Sequence, residues 1–171
     1  MRRGHGLWTV CALAWLLAGC AGYHLGPAGG QTSGSRTVQV EPFVNKTLVP
    51  RLSDYVMISL RKNLAQDGTY RLDTQDDGDV ILSGEITSYT RTAISVQSTD
   101  VLTAMDYEIV MTAQVTARER KTGKIIYKKA VTGKTTLRAG ADLNSAERES
   151  LPLLTDDLAR KATSLLVDGT W

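Results

Sequence analysis

The sequence predicts an α+β domain in which two helices pack on one face of a four-stranded mixed sheet, in the order β-α-β-β-β-α. Two segments with apolar residues at every third or fourth position predict the helices. Segments in which apolar and polar residues alternate predict strands with one buried and one wet face. The chain of 171 residues is long enough to form one such domain with its own core.

The first 35 residues are predicted to lie outside this domain. Arg2 and Arg3 precede an apolar run over residues 7–18, which is typical of an export signal and too short to span a bilayer. The run leads into LAGC, a lipobox, so we expect removal of residues 1–19 and lipidation of Cys20. The Gly-rich residues 20–35 then form a flexible tether, and the domain covers residues 36–171. An Asp directly after the cysteine would favour retention at the inner membrane. Ala21 stands there instead, which favours the periplasmic side of the outer membrane.

The domain is predicted to open with a short strand and a helix. Residues 37–43 alternate, and Pro42 indicates that the strand ends there or lies at an edge. The helix follows a turn at residues 45–50 and is terminated by Gly68. Its apolar stripe consists of Leu52, Tyr55, Val56, Leu60 and Leu64.

Three further strands are predicted to follow. The first covers residues 80–91, and the second, with the clearest alternation, covers residues 107–118. A turn at residues 121–124, with Gly123 at the position needing positive φ, reverses the chain into a third strand over residues 124–135. Lys129 interrupts the apolar face of this strand, which indicates a bulge or a sheet edge.

The last element is predicted to be an amphipathic helix that ends at Gly169. Because proline is best tolerated in the first helical turn, Pro152 places the predicted start near Ser150. The apolar stripe consists of Leu151, Leu154, Leu158, Ala162 and Leu165. Both helices can then cover one sheet face, the first through a right-handed crossover that makes two strands parallel.

The other sheet face is predicted to be polar, with Thr, Ser and Gln and with Arg91, Arg118 and Lys128 among them. Such a face is either simply exposed to solvent or forms a wet docking surface inside a larger partner.

Composition argues against catalysis, cofactors and nucleic acid. Cleavage removes Arg2 and Arg3 and leaves 18 basic side chains against 18 acidic ones, so no global attraction to nucleic acid is expected. Cys11 leaves with the signal and Cys20 carries lipid, so the domain has no free thiol. We therefore predict no catalytic residue, no cofactor and no metal site, and read the acidic residues 76–79 as a solvated turn.

Together, these features resemble the LptE family of lipopolysaccharide-assembly lipoproteins. The resemblance rests on the lipobox, the GYHL that follows Ala21, the segment VQVEPFVNKT at residues 38–47, the long strand pair and the terminal helix in this order. It covers nearly the whole chain, although the family's Cys-Gly-Tyr-x-Leu start has Ala21 inserted here.

The resemblance implies a non-enzymatic lipoprotein in the outer membrane. Its implied partner is an LptD-like β-barrel, which it would plug and help to assemble while assisting insertion of lipopolysaccharide into the outer leaflet. Phosphates of that glycolipid favour clustered cations. The candidate contacts with lipopolysaccharide or the partner are Arg91, Arg118, Lys128 and Lys134, with a second cluster at Arg120, Lys121 and Lys124.

One alternative is a lipoprotein that activates a peptidoglycan synthase or belongs to a secretion complex, since such proteins share the Phe-x-Asn-x-Thr opening. The mainly polar residues 95–103 argue against a pore-forming hairpin. A hydrolase is disfavoured because no paired base and nucleophile is visible.

Overall fold

The structure is a computed structural model that describes residues 34–97, 100–138 and 142–169. It confirms the α+β class, with two helices packed against a mixed sheet, but the sheet contains six strands and not four. In chain order the elements are β1 (Arg36–Val40), β2 (Val44–Asn45), α1 (Leu52–Asp67), β3 (Tyr70–Asp73), β4 (Val80–Gln97), β5 (Asp100–Glu119), β6 (Ile125–Arg138) and α2 (Leu143–Asp168).

The strands lie in the order β3-β1-β4-β5-β6, and β2 continues the line of β1 beside β4. β1 is parallel to both of its neighbours, whereas β4, β5 and β6 form an antiparallel meander. The sequence did not predict β3 as a strand, because its four residues have no apolar alternation of useful length. Pairing with β1, in which Arg36 lies opposite Tyr70, is what orders this short segment.

A single apolar core lies between the sheet and the helices. The predicted stripe of α1 is buried at Leu52, Val56, Leu60 and Leu64, and α1 ends at Gly68 as expected. Gly68 has φ of 73° and donates its N–H to a carbonyl one turn back, a geometry that glycine adopts without strain.

The final helix, α2, begins at Leu143, well before the predicted start. Asp142 caps its N-terminus, since the carboxylate accepts the Asn144 N–H at 3.0 Å. Pro152 therefore lies inside the helix, on its exposed side. The proline removes one hydrogen bond to the carbonyl of exposed Arg148, where water can replace it. The prediction was wrong because this loss is small beside the cap and the core contacts on both sides of the proline.

A β-bulge at Thr87 alters the second half of β4. Ile86 pairs with Ala113, and the next paired residue, Ser88, lies opposite Thr112. β4 has one residue more than β5 here. The even-numbered side chains of β4 therefore face the helices before the bulge, and the odd-numbered ones face the helices beyond it. The strand also runs past the predicted end, to residue 97.

The hairpin between β5 and β6 forms as predicted, with φ of 71° at Gly123. β6 is an edge strand, which agrees with the expectation drawn from Lys129. A register shift lies where Ala117 and Arg118 of β5 pair with Tyr127 and Ile125, so the extra residue, Ile126, is on β6.

Candidate functional site

The two faces of the sheet differ sharply in chemistry. On β5 the odd-numbered residues from Ile109 to Ala117 are buried toward the helices, and the even-numbered ones face away. In the described part of the chain no helix packs on this second side, which we call the uncovered face. Residues of the uncovered face are Ser83, Glu85, Thr90, Thr112, Gln114, Thr116, Arg118, Lys128, Thr132 and Lys134.

Two of the predicted contact residues lie close together on the uncovered face. Lys128 pairs with Thr116, and Arg118 is two residues further along the same strand as Thr116. Lys128 is exposed and Arg118 is half-buried. Their strand positions bring two cations into one neighbourhood.

Lys134 shares the uncovered face but lies further away. It is six residues from Lys128 on β6, which corresponds to about 20 Å. Its backbone N–H donates to the Asp157 carboxylate at 3.0 Å, while its side chain is exposed. Lys134 therefore extends the polar face and does not complete a compact cation cluster.

Arg91 lies on the opposite side of the sheet, contrary to the sequence prediction. It follows the bulge at Thr87, so it faces the helices, where its guanidinium forms an ion pair with Glu147 of α2. The guanidinium carbon is also 5.7 Å from the centre of the Tyr107 ring. A bulge that alters parity leaves no clear periodic signal in the sequence, which is why the prediction was wrong.

Glu147 is the residue that the sequence analysis missed. Besides binding Arg91, it accepts the Tyr89 hydroxyl at 2.5 Å. Burial raises the pKa of Tyr89, and the hydrogen bond to Glu147 raises it further, so the phenol stays protonated and donating. The cap signal at Asp142 could have revealed that Glu147 is helical.

The second predicted cation cluster, at the β5–β6 turn, is divided by the structure. Arg120 is held by the fold, because its Nε donates to the Gly78 carbonyl at 2.7 Å and a second nitrogen donates to the Gln39 amide oxygen. Lys121 and Lys124 are exposed. Arg120 therefore has a structural role.

Carboxylates accompany the two exposed lysines of this turn. Hydrogen bonds from Thr37 lower the pKa of Asp79, and the charge of Lys121 lowers it further. The pKa of Glu119 is also lowered, first by the Thr122 hydroxyl and then, more weakly, by Arg36 and Lys124. Nearby negative charge weakens this turn as a binding site for phosphate.

A cleft of about 380 Å³ opens on the uncovered face, where a short loop separates β1 from β2. Polar side chains line it, including Glu41, Gln114, Thr116 and Lys128. Glu85 also lines the cleft and forms an ion pair with Lys46 at 2.6 Å. The cleft can supply hydrogen bonds, one lysine charge and the carboxylate charge of Glu41 to a polar partner, but not a large apolar contact.

Across the described ranges, no group of His, Cys, Asp and Glu side chains is arranged to hold a metal ion. Neither of the two helices in the described part combines the length and apolar character needed to cross a membrane. Cys20 and the predicted signal and tether up to residue 33 lie outside the described residues.

Comparison with known proteins adds evidence about family and fold. A model of the family LptE, described as lipopolysaccharide-assembly, matches residues 35–168. No curated protein sequence gives a significant match.

Solved structures with a similar fold come from several bacteria. XCC0632 from Xanthomonas campestris is 8% identical to this chain with a TM-score of 0.58, and the matched region covers 85% of this chain and 91% of XCC0632. CT253 from Chlamydia trachomatis is 10% identical with a TM-score of 0.56, over 79% of this chain and 96% of its own. PelC from Paraburkholderia phytofirmans, a dodecamer, is 20% identical with a TM-score of 0.50, over 80% and 93%. At these identities the similarity shows the fold alone.

Proposed function

The chain belongs to the LptE lipopolysaccharide-assembly family, and from this we propose that it is an outer-membrane lipoprotein that plugs an LptD-like β-barrel and supports its assembly. The family match over residues 35–168 is the observation that carries the proposal. In this role the protein assists insertion of lipopolysaccharide into the outer leaflet. The family consists of structural, non-enzymatic lipoproteins, and we propose that this chain likewise performs no covalent chemistry.

The proposed membrane attachment is a lipid on Cys20, at the periplasmic side of the outer membrane. The lipobox at residues 17–20 and Ala21 after the cysteine support it. One acyl chain holds a protein only marginally, so stable attachment requires more than one chain on the cysteine.

The proposed contact surface for the barrel or for lipopolysaccharide is the uncovered face with Arg118, Lys128 and Lys134. Its hydroxyl and amide groups suit a wet interface of the kind that forms inside a larger partner. Arg91 is engaged with Glu147 on the helix side, so we place it outside this surface.

The experiment that tests the partner is purification of the full-length lipoprotein from outer membranes in mild detergent, followed by mass spectrometry of what remains bound after a salt wash. We expect a large barrel protein in stoichiometric amount. A peptidoglycan synthase in its place would support the alternative function instead and contradict the proposal.

A second experiment tests the surface. The charge reversals Arg118→Glu and Lys128→Glu together should weaken lipopolysaccharide binding about tenfold, equivalent to about 1.4 kcal/mol. The matched control reverses Arg61 and Arg148, two exposed arginines on the helices, with the same change in net charge. Equal binding by both variants would exclude this surface as the lipopolysaccharide contact.

A further inference from the structure

The outer edge of β4 loses its neighbouring strand halfway along its length. β2 pairs with Glu85 and Ile86, and the Lys46 N–H donates to the Ile86 carbonyl at 3.0 Å. The chain then turns away into α1. Within the described ranges, no strand pairs with this side of β4 beyond that hydrogen bond.

The edge is regular over residues 88–93, where the register against β5 is unbroken from Ser88 to Ala93. The Ile86 carbonyl points away from β5, because it accepts the Lys46 N–H. After the bulge the backbone groups of successive residues again point alternately toward β5 and away from it. The groups that point away from β5 are the N–H and C=O of Tyr89, Arg91 and Ala93. Six residues span about 20 Å, enough to pair with one short strand.

The other two sheet edges are protected. β3 is only four residues long. On β6, Lys161 donates to the Thr132 carbonyl at 2.9 Å, and Asp157 accepts the Lys134 N–H at 3.0 Å. Short strands and covering side chains are common ways to block an edge. The stretch at residues 88–93 therefore stands out among the three edges.

A cleft of about 300 Å³ adjoins the start of this edge. Leu48, Val49 and Tyr89 provide its apolar lining, beside polar residues, and the side chain of Leu48 is fully exposed. The polar lining residues are Lys46, Thr47, Thr87 and Ser88. Asn45 fixes the loop, because its amide donates to the Val49 carbonyl at 2.7 Å and its oxygen accepts the Thr47 N–H at 3.0 Å. The cleft is thus a preformed pocket for an apolar side chain at the end of an added strand.

We propose that residues 88–93 of β4 accept an extended segment of the β-barrel partner by strand addition. The inference rests on the proposed function, whose partner it makes more specific. Backbone groups in register select an extended peptide. The cleft selects an apolar side chain on the helix side, and Thr90 and Thr92 select polar ones on the uncovered face. An extended loop of the barrel that enters its lumen can supply such a segment, whereas the barrel's own strands already pair with each other on both sides.

The protein's own tether is too short to pair along the whole of this edge. Gly34 lies at the opposite end of the sheet, where its N–H donates to the Thr69 carbonyl. The distance along the strands from the level of Gly34 to Ala93 is about 17 residues, or about 56 Å. After the predicted cleavage, residues 20–33 span at most about 50 Å.

The test compares two substitutions of Ala93 in the full-length lipoprotein. Ala93→Pro removes an outward N–H from the proposed edge while leaving the hydrogen bonds to β5 intact. The control, Ala93→Ser, changes the same exposed side chain but keeps the outward N–H. We expect barrel recovery from outer membranes to fall about tenfold for Ala93→Pro and to stay within about twofold for the control.

Equal recovery with both variants would overturn strand addition while leaving the proposed function intact. Recovery of no barrel by the wild type would overturn the proposed function and this inference together, and recovery of a second copy along this edge would overturn the inference. If circular dichroism shows that Ala93→Pro is unfolded, hydrogen exchange of the wild type decides. Slower exchange at Tyr89, Arg91 and Ala93 in the barrel complex supports strand addition, and unchanged exchange overturns it.

Discussion

The helix side of the sheet and the uncovered face are built from the same strands, but they differ in what they contribute. Ile109, Met111 and Ala113 have no exposed surface, whereas Val110 and Thr112 between them are partly exposed. Burial of a large apolar side chain stabilises a fold by about 1.5–3 kcal/mol. Stability is thus concentrated on one face, and the other face can change its side chains for recognition at little cost to folding.

The largest effect is expected on the helix side. Leu158→Ala should lower the free energy of unfolding by about 2–5 kcal/mol, because Leu158 is fully buried where α2 approaches Gly133 closely. Urea denaturation measures this change. Leu158→Met is the control, since it keeps the volume and should cost less than about 1.5 kcal/mol. A loss below about 1 kcal/mol for the alanine variant would show that this face is not the main core.

An intermediate effect is expected at Asp157, which joins α2 to β6. Burial opposes ionisation of this carboxyl, but hydrogen bonds from Lys161, the Lys134 backbone and Arg160 outweigh it and lower its pKa to about 2. Asp157→Asn should lower the free energy of unfolding by about 1 kcal/mol, because ion pairs that are open to solvent contribute little to stability. Glu149→Gln, at an exposed position of the same helix, makes the same charge change as a control.

The pH dependence of this contribution has a defined sign. The folded state favours the ionised carboxylate, so the contribution is fully present above the ordinary Asp pKa of about 3.9. It is lost as the pH falls toward the folded value of about 2. Stability of the wild type should therefore fall more steeply than that of Asp157→Asn between about pH 4 and pH 2, measured by thermal unfolding. Parallel curves for the two proteins would argue against the stabilising role of this carboxylate.

The smallest effect is expected on the uncovered face. Thr112→Ala removes a hydroxyl that lies 3.2 Å from the Thr132 hydroxyl, and solvent can replace this contact. The free energy of unfolding should change by no more than about 0.5 kcal/mol in urea denaturation. A loss above about 1.5 kcal/mol would contradict the division of roles between the two faces.

Periodicity predicted the parts of the fold that local sequence determines. The apolar stripe of α1, its end at Gly68, the hairpin turn at Gly123 and the alternation along β5 are all present. Each depends on residues that are close in the chain, so a short window of sequence carries the information.

Features that depend on distant pairing were not predicted. β3 is ordered by β1, and the bulge at Thr87 exists only in relation to β5. Among the candidate site residues, Arg118 and Lys128 were correctly assigned to one face because the alternation is unbroken over residues 107–118 of β5 and residues 127–137 of β6. Arg91 was assigned to the wrong face for the opposite reason.

The position of β1 between two parallel neighbours has a consequence for the order of folding. β4, β5 and β6 pair with neighbours in sequence, so they can assemble through local turns. β1 instead pairs with Tyr70 through Arg36 and with Val80 through Val38, both distant along the chain. We expect the meander to nucleate and β1 to insert last, because closing these long loops is slow. The strand nearest the predicted lipid attachment would then complete the domain, and with the proposed lipid on Cys20 this final folding step would take place beside the membrane.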